Sequence, residues 1–170
     1  MAGNSAKYVI DTCSLIKLSE DYPPDVYVFS PVWDAINQLV ESGILVSTVE
    51  VLDELRNTEN KDDQVLMWAE QREVMFLPLD GFVQQKALEI LEIFENLVDL
   101  NKKKSSADAF VIGTAMMYSC AVVTDERPTN NRAGSGHKVR IPDVCKHYKV
   151  HCLTLVEMLR AEGVNLRGTS

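Results

Sequence analysis

The chain alternates very short apolar runs with amphipathic stretches, and two of those runs stop at acids. Tyr8-Val9-Ile10 ends at Asp11, and Ala121-Val122-Val123-Thr124 ends at Asp125-Glu126. A continuous apolar run of this length suits a strand buried on both faces, the condition of a parallel sheet covered by helices. In an open α/β sheet the C-terminal ends of strands and the N-termini of the helices that follow share one edge. Two further acids fall at such points: Glu54, in a helical stretch after Leu45-Val46-Ser47, and Asp108, which opens the apolar stretch from Ala107 to Tyr118. Carboxylates distant in sequence can therefore meet on one rim. Two of them ~4 Å apart repel by about 4 kcal/mol at a surface-like dielectric. With no basic partner in the motifs, a divalent cation best explains such a grouping.

The alternation predicts strands at 8–11, 44–47, 74–77, 121–124 and 150–152. Between them it predicts a short helix near Leu15 to Leu18 and another from Ser30-Pro31 through Val40, stopped near Gly43, with Ser30 as its cap. A helix from Val49 to Arg56 is expected to be capped by Ser47 or Thr48. Further helices are expected over Gln64 to Arg72, Gly81 to Leu97, Ser105 to Tyr118, from Ile141-Pro142-Asp143 onward, and over Leu153 to Arg160. Residues 57–63 and Lys102-Lys103-Lys104 read as polar connections, and 161–170 as a flexible tail beyond one domain at 7–160.

At 170 residues, with 46% hydrophobic and 25% charged residues, the chain suits one soluble domain with a core that needs no staples. The opening Met1 to Lys7 has no apolar segment of the signal-peptide kind, and no apolar stretch reaches membrane-spanning length, so a cytoplasmic protein without membrane contact is expected. The four cysteines form no C-x-x-C pair, which fits a reducing compartment. Cys145, His147, His151 and Cys152 crowd together, but a strand at 150–152 points His151 and Cys152 to opposite faces, which disfavours zinc. A net charge of −8 argues against a surface that attracts nucleic acid everywhere. Its distribution is uneven, because Arg127, Arg132, Lys138 and Arg140 lie with His137 in a segment that holds no acid. Gly134, Ser135 and Gly136 make that segment a candidate mobile loop, basic and adjacent to Glu126.

Each acid also has a local explanation. Asp11 can cap the helix after it, Glu54 can be an exposed helical residue, Ser105-Ser106-Ala107-Asp108 matches a capping box, and Asp125-Glu126 can be turn residues. Taken in order, however, four segments resemble the motifs of the PIN-domain nucleases: Tyr8-Val9-Ile10-Asp11-Thr12-Cys13-Ser14-Leu15, Val51-Leu52-Asp53-Glu54-Leu55, the helix from Ala107-Asp108 to Ala115, and Val122-Val123-Thr124-Asp125-Glu126. The likeness runs from Tyr8 to Leu159. The Lys138 to Cys145 segment is similar to that of a prokaryotic PIN subgroup without an assigned role. No phosphate-binding loop of the G-x-x-x-x-G-K-[ST] type exists, and Cys13 stands where a haloacid-dehalogenase-like phosphatase needs its second acid.

That resemblance implies a three-layer α/β/α domain around a mainly parallel sheet of about five short strands. It implies a metal-dependent endoribonuclease that hydrolyses single-stranded RNA with Mg2+ or Mn2+, leaving 5′-phosphate and 3′-hydroxyl ends. The family's first three acids fall on Asp11, Glu54 and Asp108. Its fourth motif, a hydroxyl residue, one residue and an acid, selects Thr124 and Glu126, with Asp125 as the other choice. Asp11, Asp108, Glu126 and Asp125 are thus the candidate metal ligands, with Glu54 completing the catalytic set. Thr12, Ser14, Thr124 and Asp143 are candidate supporting residues, and Arg127, Arg132, Lys138 and Arg140 candidate contacts to nucleic acid. The resemblance also implies a small antitoxin protein as partner and a homodimer. Two alternatives stay open: a PIN-fold RNA-binding or scaffold protein with little catalysis, and a nuclease acting on DNA, since a backbone-directed site barely reads the 2′-hydroxyl.

Overall fold

The computed structural model describes residues 5–57, 64–97 and 107–164. Of the expected polar connection at 57–63, Asn57 is helical and the rest lies outside the described residues, as do 102–104, the Ser105-Ser106 cap and the end of the tail. Five strands form one parallel sheet: β1 (Tyr8–Ile10), β2 (Leu45–Thr48), β3 (Phe76–Leu77), β4 (Ala121–Val123) and β5 (Cys152–Leu153). Their order is β3-β2-β1-β4-β5. Every residue of β1, β2 and β4 is buried. Because successive side chains leave a strand on opposite faces, both faces of the sheet are covered. This is the α/β architecture expected, with β1 at its centre.

The chain builds out from β1 in one direction through β2 to β3, then returns to the other side of β1 for β4 and β5. The order therefore reverses between β1 and β4, whose partners are Tyr8 with Ala121, Val9 with Val122 and Ile10 with Val123. Beyond the C-terminal ends of two strands that diverge in this way lies a crevice that no crossover fills. Residues 11 and 124–126 stand at its lip. The hydroxyl of Ser47 donates to the Ile10 carbonyl at 2.7 Å and ties β2 to the same edge.

Helices α1 (Thr12–Asp21), α2 (Ser30–Glu41), α3 (Val49–Asn57), α4 (Gln64–Glu70), α5 (Gly81–Ile93), α6 (Ala107–Tyr118), α7 (Ile141–Tyr148) and α8 (Leu155–Ala161) flank the sheet. None of the described helices is long and apolar enough to cross a membrane. Most apolar residues of the 31–40 and 64–77 segments serve the chain's own core, Met67 and Val74 being exposed. Trp33 and Trp68 meet edge to face at 5.6 Å, and the Trp68 indole donates to Asn37 at 2.9 Å. Glu162, inside the expected tail, accepts a hydrogen bond from Tyr8 Oη at 2.7 Å.

Several expected boundaries move. The third strand starts later, at Phe76, because Glu73–Met75 forms a 3₁₀ turn. The long helix from Gly81 stops at Ile93, and a separate 3₁₀ turn follows at Glu95–Leu97. Ser30 lies inside α2, and Phe29 stands at the cap position without a side-chain bond. Neither expected cap serves α3: Ser47 bonds to Ile10, and the Thr48 hydroxyl, fully buried, has no hydrogen-bond partner.

Helix α6 is buried along most of its length and packs against β1, β2 and β4. Its other side meets α5 so closely that a Cβ on Gly113 would lie 3.1 Å from the Val83 carbonyl oxygen. Glycine is needed here for approach, not for an unusual backbone angle. Gly113→Val should overpack this contact and lower stability by about 1–3 kcal/mol in urea unfolding; unchanged stability would mean that α5 shifts away at no cost.

Candidate active site

Asp11 directly follows β1 and is 3% exposed. Its Oδ1 accepts the Ser14 backbone N–H at 2.7 Å, so it does cap α1. Its Oδ2 accepts the Thr124 hydroxyl at 2.6 Å, and Thr124 Oγ1 in turn accepts the Glu126 backbone N–H at 3.2 Å. The hydroxyl-x-acid pattern is thus a physical link: the threonine joins the acid of β1 to the backbone of the acid after β4. Burial pushes the Asp11 carboxyl up to about 7; bonds from Thr124 and Ser14 oppose this, and the charge of Glu126 adds to it. Capping and a place in a charged site are therefore compatible roles for one side chain.

The neighbouring acids part company. Asp125 is directed to the α1 and α8 side, where it accepts from Ser14 Oγ at 3.1 Å and from the Leu155 N–H at 3.4 Å and pairs with Lys17 at 3.4 Å. Glu126 accepts the Ile141 N–H at 3.1 Å and is the carboxylate whose charge raises Asp11. The two carboxylates thus engage different elements, Asp125 those of α1 and α8 and Glu126 the start of α7. Lys17 escaped the sequence reading. Its signal was the spacing Ser14, Lys17, Asp21 along one face of α1, with Lys17 Nζ also 4.0 Å from Asp21.

Glu54 acts as a bridge. Its Oε2 accepts the Thr12 hydroxyl at 2.5 Å and its Oε1 accepts the Ala107 N–H at 3.0 Å. Thr12 follows Asp11 and Ala107 precedes Asp108, so one carboxylate ties together the backbones that carry both aspartates. It also satisfies a first-turn N–H of α6, a group that has no partner within the helix. Asp108 is half-buried in that first turn, where the helix dipole favours negative charge.

Asp143 is 8% exposed and faces the basic segment, accepting from Thr129 N and Oγ1, Asn130 N and Arg140 N. Arg127, Arg132 and Lys138 are exposed, whereas Arg140 is half-buried and its Nε lacks an acceptor. The segment expected to be a mobile loop is anchored at its base.

The donors around the crevice are carboxylate and hydroxyl oxygens, which suit a hard cation and not zinc. Among the described residues no three Asp, Glu, His or Cys side chains come together as a ready-made metal cage. Magnesium does not need one: it keeps several waters and is held through one or two carboxylates with substrate phosphates. Asp11 and Glu126 fit that pattern, since a cation beside them would offset both the burial that mainly raises Asp11 and the smaller repulsion from Glu126.

Among solved structures, FitAcB from Neisseria gonorrhoeae is similar over 86% of this chain and 96% of that chain, with a TM-score of 0.49 and 16% sequence identity. No curated protein sequence matches the chain. The model of the family described as "Domain of unknown function (DUF4411)" matches residues 8–166, and the chain belongs to that family.

Proposed function

We propose that the chain is a Mg2+- or Mn2+-dependent nuclease that hydrolyses phosphodiester bonds of single-stranded RNA. The observation that carries this reading is Asp11: a nearly inaccessible carboxylate at the strand switch point, raised mainly by burial and further by the charge of Glu126, whose backbone N–H Thr124 links to it. Such a pair is costly in an isolated protein and useful beside a divalent cation. The ordered PIN-like motifs support the same reading.

Asp11 and Asp108 would hold the cation, with Glu126 beside them; when bound, it would supply Lewis-acid stabilisation and lower the pKa of water. Thr124 keeps Asp11 oriented by donating to Oδ2 and leaves Oδ1 to Ser14. Glu54 holds the first turn of α6 against α1 and so sets the separation of the two aspartates. Arg127, Arg132 and Lys138 add a local positive field that offsets the net charge of −8 during encounter with a polyanion.

An antitoxin protein and a homodimer are further proposals that rest on the PIN resemblance. In the 64–77 region Met67 and Val74, 66% and 74% exposed, are the large apolar side chains left for such contacts among the described residues. The RNA-binding alternative gains from the engagement of both Glu54 oxygens in structural bonds. Labelled single-stranded RNA and DNA incubated with Mn2+ or EDTA separate these readings.

Asp11→Asn and Asp108→Asn should each lower Mn2+-dependent cleavage at least about a hundredfold while the protein stays folded. Asparagine can still cap α1 through its amide oxygen. Purified variants that cut as well as the wild type would remove these residues from the chemistry.

Without metal, folded Asp11 keeps its proton to about pH 7, against an ordinary value of 3.8. Between these values the folded state binds more protons than the unfolded chain, so this group's contribution makes stability fall from about pH 4 to about pH 7 and level off above. The whole effect is at most about 4 kcal/mol. Subtracting the Asp11→Asn profile from that of the wild type in urea unfolding isolates it; a flat difference would show an ordinary carboxyl.

Replacing Arg132 and Lys138 with serine should weaken RNA binding and flatten its dependence on salt by about 0.7 slope units for each phosphate no longer neutralised. An unchanged slope in fluorescence anisotropy would place the RNA elsewhere.

A further inference from the structure

Residues 127–140 hold four basic residues and no acid, and their geometry converges on one acid that follows them. The Asp143 Oδ1 accepts the Asn130 N–H at 2.8 Å and the Thr129 N–H at 3.0 Å. Its Oδ2 accepts the Thr129 hydroxyl at 2.7 Å, the Arg140 N–H at 3.0 Å and a share of the Thr129 N–H at 3.1 Å. A carboxylate offers about four lone-pair sites, and four donor groups fill them here. Burial raises this carboxyl, but bonds from Thr129, Arg140 and Asn130 prevail and hold it below the ordinary range. No acceptor capacity is left for a cation.

The donors belong to both ends of the basic segment. Thr129 and Asn130 lie at its start, where Asn130 takes a left-handed backbone conformation (φ 61°) that turns successive N–H groups toward one anion. Arg140 lies at its end. Two further ties close the same base: Asn131 Nδ2 donates to the Lys138 carbonyl at 2.8 Å, and Val139 is 2% exposed. Immediately after the clasp, Ile141 donates to Glu126, so the base of the segment and the acidic rim share one turn of chain.

We propose that Asp143 is a positioning residue that clasps residues 129–140 into a preformed basic arch beside the acidic site, and that the arch takes the phosphate backbone of a single-stranded polynucleotide. The polynucleotide part rests on the nuclease reading above; the clasp does not. An arch fixed in advance need not be ordered when the strand arrives, so each basic side chain contributes more of its attraction to affinity. Its effect falls on substrate binding and not on the cation site.

Asp143→Asn replaces an acceptor by a donor among four N–H and O–H groups, and Thr129→Val removes the hydroxyl while leaving the carboxylate intact. In Asp143→Asn, amide exchange at Asn130 and Arg140 should quicken at least about tenfold. Binding of a labelled single-stranded oligoribonucleotide in EDTA should weaken about tenfold. Mn2+ affinity, measured by calorimetry, should stay that of the wild type, and KM should rise with kcat little changed. Thr129→Val should move the same quantities in the same direction and by less, and it carries the test alone if Asp143→Asn does not fold. Unchanged exchange overturns the clasp. A loss of Mn2+ affinity overturns it too and makes Asp143 a ligand. Faster exchange with unchanged oligonucleotide binding overturns the arch as the strand's site. A wild type that binds the oligonucleotide in an Asp143-dependent way but cuts nothing leaves the proposal standing and removes the nuclease reading.

Discussion

The hydrogen bond from Thr124 to Asp11 joins residues 113 positions apart and lies fully buried at the edge of the sheet. It can form only if β1 and β4 pair in parallel with Ile10 opposite Val123, because that register brings the two following residues level. A slip of one residue would turn Thr124 to the other face and leave a buried carboxylate with one partner fewer. The same bond places Glu126, through the backbone N–H that Thr124 accepts, on the acidic side of the crevice. Sheet order, register and the chemistry of the rim are therefore one constraint seen at three scales.

Charge in this site is organised by pairing some acids and leaving others in tension. Asp125 has Lys17, and Asp143 has a full set of donors. Glu54 uses its two oxygens to join α1 to α6. Against that background Asp11 stands apart, surrounded by hydroxyls, an amide and another acid. The contrast marks where a ligand would change the energy most.

Much of this was legible in the sequence because buried parallel strands are short, apolar and ended by an abrupt change of polarity. That signal located β1, β2 and β4 closely and put Asp11 and Thr124-Asp125-Glu126 at their ends. It failed where the structure depends on pairings between distant segments. The caps show this: Ser47 and Thr48 had the right chemistry for α3, but Ser47 is drawn to the Ile10 carbonyl across the sheet. Nothing local could show that Glu54 satisfies the start of α6, or that Asp143 gathers both ends of the basic segment. Nor could the sequence show that Asp125 and Glu126 part company, since that depends on Lys17 and Leu155 on one side and Ile141 on the other.

The sheet's two borders have a consequence for how this molecule associates. β3 and β5 contain two residues each. A border that short presents almost no row of free amides and carbonyls, so another chain gains little by adding a strand to it. This protects the apolar β1 and β4 at the centre from templating aggregates. It also means that a polypeptide partner must read the molecule through side chains on helices and connecting segments, where recognition depends on shape and charge more than on main-chain geometry.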